Sequence, residues 1–338
     1  MSFLFPLLIL FGLIAVPETA NAAASDAALL WWTRVLPSLL PYLIASSLLM
    51  RNGILSRMNQ RLVPFLLLPT GMLGGYPVGA RLAGELYRKR AVSLPDAQTV
   101  AVFCNLPNPV FLISVVSTGL FRDPKTALPL LLGVYGTSLA ALIPLTRIRF
   151  SVSQASEPPA LSQILPASIS DGVQAILNIG GCIVFASVLG ALVESAGVFR
   201  LFGTSAPTVR AAALGLFEMT SGANAIAALP LSLPLRLALC AFFVQSGGLS
   251  VLLQSASVLP LSLPRYGLTR LFPALATALA VFFLTPLFCP DTTVPTMATG
   301  REMLQNTFDL LAVSLSCGFG LLLVFVFTFG LSKRKRTP

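Results

Sequence analysis

Gly74-Gly75-Tyr76-Pro77-Val78-Gly79-Ala80 and Phe103-Cys104-Asn105-Leu106-Pro107-Asn108-Pro109 each sit inside a long apolar segment that they cannot cross as regular helix. Proline lacks the N–H that a helix needs and its ring clashes with the preceding turn. In hydrocarbon, interrupted backbone survives only where protein or water satisfies the freed N–H and C=O groups. The fold therefore turns on whether the flanking segments lie in a membrane.

Composition places them there. Of 338 residues, 55% are apolar and 10% charged, against about 25% charged in a soluble domain. Apolar runs cover 3–17, 27–50, 62–87, 97–120, 126–146, 174–196, 208–229, 235–259, 268–289 and 305–331. Trp31 and Trp32 open the second run and suit the interfacial belt. Ser93-Leu94-Pro95-Asp96 and Thr299-Gly300-Arg301-Glu302 read as capping boxes, and Asp123-Pro124 as a third helix start. Ala20-Asn21-Ala22 resembles a signal-peptidase site without a positive n-region, so residues 1–26 are expected to stay as a membrane helix or signal-like segment.

Several function classes drop out. The net charge of +10 falls in short clusters between apolar runs, as topogenic charge does, so nucleic acid is not an expected partner. There is no histidine, and the cysteines (Cys104, Cys182, Cys240, Cys289, Cys317) form no CxxC pair, so neither metal nor cofactor is expected. No nucleophile elbow, zinc helix or phosphate loop is present, and the chain reads as a non-enzyme.

The polar stretch 150–173 divides the chain into halves that match in order, 27–149 and 174–289, with 290–338 as a last helix and basic tail. Leu43–Leu48 matches Val184–Leu189, Gly74–Ala80 falls opposite Met219–Ala225, and Phe103–Asn108 opposite Phe243–Gly248. Each half thus carries two breaks, the sequence pattern of a duplicated transporter with a midplane site. If 62–87 and 208–229 fold as re-entrant hairpins and the tail is cytoplasmic, fifteen basic residues fall inside and six outside, with Arg265 and Arg270 among the inside set. The positive-inside rule then favours hairpins, three crossings per half, inverted repeats and both termini in the cytoplasm. The expected fold is an all-α polytopic membrane protein with about eight full spans, seven if the N-terminal segment is cleaved, plus two hairpins.

Glu218 stands out, a carboxylate in an apolar segment that must be paired, protonated or wetted. It is assigned a coupling or gating role with a proton or cation, against the plainer reading of a partner for an arginine such as Arg81. Glu85 is read as an i,i+4 partner of Arg81. Asn105 and Asn108 flank Pro107, and Gln245 and Ser246 hold the equivalent place in the second half. With the backbone of Gly74, Gly75 and Tyr76 and of Thr220, Ser221, Gly222 and Asn224, they form the expected substrate-binding set. Free N–H groups at half-helix N-termini favour a small anion.

Gly74–Arg81, Phe103–Pro109, Gly215–Gly222 and Ser246–Val251 together resemble the sporulation integral membrane protein family, over about Trp31 to Pro286. That family is grouped with nucleoside-recognition gate domains. The resemblance implies transport of dipicolinic acid, a planar dicarboxylate, across a bacterial cell membrane, the outer forespore membrane during spore formation. Here the tip Asn105-Leu106-Pro107-Asn108-Pro109 departs from the small residues expected in relatives. A nucleoside transporter and a non-transporting spore-envelope scaffold stand as the alternatives.

Overall fold

The computed structural model describes residues 4–53, 59–151, 160–200 and 206–290. Every regular element among them is helical. In the first half these are α1 (Leu4–Ala15), α2 (Pro17–Leu30), which continues through a π turn at Trp31–Val35 into α3 (Leu36–Arg51), then α4 (Val63–Gly74), α5 (Val78–Arg88), α6 (Leu94–Cys104), α7 (Phe111–Phe121, wound as π-helix), α8 (Ala127–Leu139) and the short α9 (Leu142–Thr146). The second half has α10 (Leu161–Ser195), α11 (Ala206–Phe217), α12 (Met219–Ala227), α13 (Leu233–Ser246), α14 (Gly248–Ala256) and α15 (Leu263–Phe288).

Each half runs in the same order: a long helix, a helical hairpin, a helix broken in the middle, and a further helix. Five of the described helices are long and apolar enough to cross a membrane: Pro17–Arg51, Pro124–Thr146, Leu161–Ser195, Leu233–Ala256 and Leu263–Phe288. That is fewer than the eight spans expected. Helix α1, α4 and α7 are apolar but only 11 to 12 residues long, and the segment 305–331 with its capping box lies outside the described residues. Two boundaries also move. Ala20-Asn21-Ala22 falls inside α2, and α10 starts at Leu161, so much of the stretch assigned to a linker is helix.

The faces of the helices are sorted as lipid demands. On α15, Tyr266, Arg270, Ala274, Thr277, Val281 and Thr285 repeat every three to four residues and are buried. The opposite face carries Phe272, Leu275, Leu279, Phe283 and Leu287, all exposed, with Phe272 at 80%. Polar groups inside and bulky apolar groups outside reverse the soluble pattern, because hydrocarbon wets the outer face.

Local signals explain the element starts. Ser93 Oγ accepts from Asp96 N–H at 3.3 Å and donates to the Asp96 carboxylate, and Asp123 Oδ1 accepts from Lys125 N–H at 2.9 Å. Both expected caps are present. Trp31 turns inward, its Nε1 donating to Ile176 O of α10 at 3.0 Å.

The two hairpins close on glycine. Gly71 of α4 and Gly79 of α5 both press against the Cys104 carbonyl at the end of α6, and Gly222 of α12 presses on the backbone of Gly215 in α11. A methyl at any of the three would overlap main-chain atoms. Two apolar cores result, one containing α6 with Leu252 of α14, the other α7 with α13. Each broken helix thus passes from one core to the other, and its break lies between them. We expect Gly222→Ala to destabilise the folded protein by about 1–3 kcal/mol, the usual overpacking cost. Gly136→Ala, where a Cβ meets nothing within 4 Å, should be neutral or slightly stabilising. Thermal unfolding of both variants in detergent checks the contrast.

Candidate functional site

Breaking a helix leaves its last carbonyls without N–H partners. Helix α6 ends at Cys104, with Asn105 off the helical path (φ −90, ψ 89), and α13 ends at Ser246 before Gly247 and Gly248, both at positive φ. Only glycine fits the second position comfortably. A Cβ on Gly248 would stand 2.8 Å from the Gly215 carbonyl at the end of α11.

The orphan carbonyls meet one cation. Arg270 of α15, 1% exposed, donates Nε to Ser246 O at 2.9 Å, Nη1 to Asn105 O at 2.9 Å and Nη2 to Gln245 O at 2.6 Å. Nη2 also reaches Tyr76 Oη at 2.9 Å, and the guanidinium lies over the Tyr76 and Tyr266 rings at 5.2 and 5.7 Å. Tyr76, at the first hairpin tip, is set near Val244 O and Gln245 O at 3.0 Å each. Asn105 Nδ2 points to Ser255 Oγ at 3.1 Å and Tyr266 Oη at 3.3 Å.

Placing Arg270 among cytoplasmic loop charges is therefore corrected. The helix begins at Leu263 rather than 268, which carries Arg270 two turns inside it. Tyr266, four residues earlier on the same face, was the available signal. The expected Arg81–Glu85 pair is replaced as well: Arg81 Nη1 donates to Asp171 O at 3.3 Å, and Glu85 Oε2 has no hydrogen-bond partner.

The fourth break is held by a carboxyl side chain. Glu218, 1% exposed with extended backbone (φ −144, ψ 120), caps α12. Its carboxylate accepts from Thr220 N–H at 2.8 Å, Ser221 N–H at 2.7 Å and the Thr220 hydroxyl at 3.2 Å. Its partners are thus backbone donors and a hydroxyl rather than an arginine. The Thr220 and Ser221 N–H groups expected to greet a substrate anion are already occupied by this side chain.

The other expected site residues separate into two places. Gly74, Gly75, Tyr76, Asn105, Asn108, Gln245 and Ser246 are buried at the centre. Asn108 is spent on structure, its Nδ2 on Leu73 O at 2.5 Å and its Oδ1 on Val110 N–H at 2.7 Å. Ser246 Oγ bonds to Phe243 O at 3.0 Å. Among the described residues, Gln245 Oε1 and Asn105 Oδ1 have no hydrogen-bond partner. Ser221 and Asn224 line instead a cleft of about 1150 Å³ between α2, α10, α11 and α12, with Asp26, Glu194, Arg200 and Arg210 among its walls. Gly222 serves the hairpin packing. A small chamber of about 30 Å³ lies behind, lined by Tyr76, Pro107, Asn108, Ser250 and Gln254 among others. Cleft and chamber share only Glu218 and Thr220.

A polytopic helical membrane protein, with four backbone interruptions gathered around a buried polar centre, is what this geometry defines. Among known proteins the chain is similar to the sporulation integral membrane protein YlbJ of Bacillus subtilis (strain 168), at 27% identity over 293 residues, covering 73% of this chain and 72% of the relative. This likeness supports the resemblance to the sporulation integral membrane protein family read from the motifs. No family model and no solved structure matches the chain.

Replacing Arg270 by Met should leave the carbonyls of Asn105, Gln245 and Ser246 unsatisfied, at about 1–3 kcal/mol for each buried group. Loss of folded protein, or a steep fall in its unfolding midpoint in detergent, is expected. Arg270→Lys keeps the charge but not the fork, and should recover only part of the loss. A midpoint unchanged in Arg270→Met contradicts the role given to the guanidinium.

Proposed function

We propose that this protein is a membrane transporter of a small polar solute, which enters through the cleft and is handed past Glu218 to the polar centre. The observation that carries the reading is the meeting of both hairpin tips and both broken helices around that centre. Interrupted backbone in an apolar bundle is costly, and paired interruptions in two halves are the mark of a transport site. We take the halves to be inverted repeats and the hairpins to be re-entrant, as the equal element order and the charge distribution favour.

Dipicolinate, in its acidic form or as an anion, is the first candidate, because the family resemblance implies it and the relative is a sporulation protein by name. A bacterial membrane bounding the forespore is then the place of action. A nucleoside is the second candidate. It is favoured by the Glu218 carboxylate and the unpartnered Gln245 Oε1 and Asn105 Oδ1, which accept hydrogen bonds from N–H and O–H groups better than they receive a bare anion.

The two ends of the pathway differ. Asp171 and Glu194 are 23 residues apart on α10, about 35 Å of helix. At the Glu194 end the cleft is open, with Glu194 paired to Arg210 on its wall. At the Asp171 end the carboxylate accepts from Ser47 Oγ at 2.6 Å and Arg51 Nε at 2.8 Å, while Arg81 holds its carbonyl. We read this cluster as the closed gate of the state described.

Dipicolinate entry into terbium-loaded proteoliposomes, followed by luminescence, tests the proposal. Protein-dependent entry, lowered at least tenfold by Glu218→Gln, is expected. Competition by uridine would move the assignment to the nucleoside reading. Folded protein that passes neither solute in either orientation would leave the scaffold reading in its place. Asp171→Asn should weaken the closed gate and alter the entry rate without lowering the unfolding free energy by more than about 1 kcal/mol, as for a partly exposed pair.

A further inference from the structure

The small chamber behind Glu218 contains two polar side chains that nothing so far employs. Ser250 and Gln254 stand one turn apart on α14, 1% and 2% exposed, and both line the chamber. Ser250 Oγ and Gln254 Oε1 are buried without a hydrogen-bond partner. Such atoms are rare in folded proteins, because the cost of desolvating them is normally recovered in a bond. A serine in a helix usually recovers it from the carbonyl four residues back, as Ser255 does with Val251 O at 2.8 Å. For Ser250 that carbonyl belongs to Ser246, which receives Arg270 Nε instead.

Among the described residues no group donates to either atom: the Ser38 hydroxyl on the chamber wall, for one, donates to Val35 O. The Thr220 hydroxyl donates to Glu218, the Asn108 amide to Leu73 O, and Tyr76 Oη faces two carbonyls and the guanidinium. Gln254 Oε1 can only accept, while the Ser250 hydroxyl can accept or donate, so the pair has room for a hydrogen-bond donor at Gln254 and for either kind of group at Ser250.

We propose that Ser250 and Gln254 form a solute-binding subsite in this chamber, which receives an O–H or N–H group of the transported solute. The inference rests on the transporter reading and specifies one part of its site. At about 30 Å³ the chamber has room for about one water, so in this state it is collapsed and the solute's donor takes that place when Glu218 and Thr220 move aside. An acidic solute would occupy it through a protonated carboxyl, a nucleoside through a hydroxyl or ring N–H.

Ser250→Ala and Gln254→Met separate this role from a structural one. Each removes an unpartnered buried polar atom at little change in volume, so a binding subsite predicts an unfolding midpoint equal to or above that of the wild type. Uptake of the transported probe, dipicolinate or uridine, should at the same time fall at least tenfold, mainly through KM. Uptake within twofold of wild type in both variants would mean that the chamber holds a structural water only, and a fall in midpoint would mean that the side chains support the fold. Either result overturns the subsite. Absence of uptake of both probes by the folded wild-type protein, seen without any variant, would instead overturn the transporter reading and the subsite with it.

Discussion

The guanidinium of Arg270 makes the rest of the architecture tenable. Two helices stop in the middle of an apolar bundle, and their C-terminal carbonyls present the negative ends of two half-helix dipoles to one another. Unsatisfied, they would cost several kcal/mol in hydrocarbon. A planar cation with five donors can bind carbonyls on both helices at once, where a lysine could supply only a point charge. Its bonds go to Asn105 O at the first break and to Gln245 O and Ser246 O at the second. The charge needs no carboxylate beside it, because the carbonyl dipoles and the two tyrosine rings face it.

Glu218 is the converse device. Helix α12 begins with free N–H groups and a positive dipole end, and the protein fills that position from its own chain. Cation at helix C-termini and anion at a helix N-terminus are the two signs of one rule. The consequence for recognition is specific. An N-terminus that looks from sequence like an anion receptor is, in this state, already occupied by the Glu218 side chain. On the transporter reading, a solute carboxylate would have to displace Glu218 or approach it protonated, whereas a solute with hydroxyl or N–H groups would meet unpartnered acceptors. The preference for a small anion read from open half-helix N-termini therefore applies to the sequence pattern more than to the site as folded.

What was legible in the sequence were the interruptions and the caps, because proline, paired glycines and Ser/Asp caps act through the local backbone. Gly74–Pro77, Asn105–Asn108 and Gly247–Gly248 all fall where helix ends, and Ser93 and Asp123 begin helices. Glu218 was legible from its isolation in an apolar run. Arg270 was not, since a basic residue near the edge of an apolar run resembles a topogenic charge until the helix start is known. The N-terminal turns of α10 were hidden by Ser, Gln and Pro that read as linker, although Ile164, Ser168 and Gly172 form one buried face. Glycine at 71, 79, 215 and 222 carried no signal for its role, because close backbone approach depends on what arrives from elsewhere in the chain.

The division between cleft and chamber follows from the same two ionic devices. Arg270 binds the ends of α6 and α13 together, so the floor of the polar centre is fixed by bonds that span both halves of the chain. The wall toward the cleft is fixed more lightly. It consists of Glu218 and Thr220, bonded within one helical turn of α12 and to nothing across the chamber. Helix α12 is nine residues long and packs on α11 through the bare backbone of Gly215 and Gly222. Its far end is held by Arg236 of α13, whose Nη1 donates to Ala227 O at 2.7 Å, whereas its first turn carries its own cap and makes no bond to the Arg270 network. On the transporter reading, access from the cleft is thus governed by contacts separate from the Arg270 network. The corresponding position in the first half lacks this separation, since Tyr76 is tied by its hydroxyl to Arg270 and set against the carbonyls of α13. Of the two hairpin tips, the first is bonded to the Arg270 network and the second is capped from within its own helix.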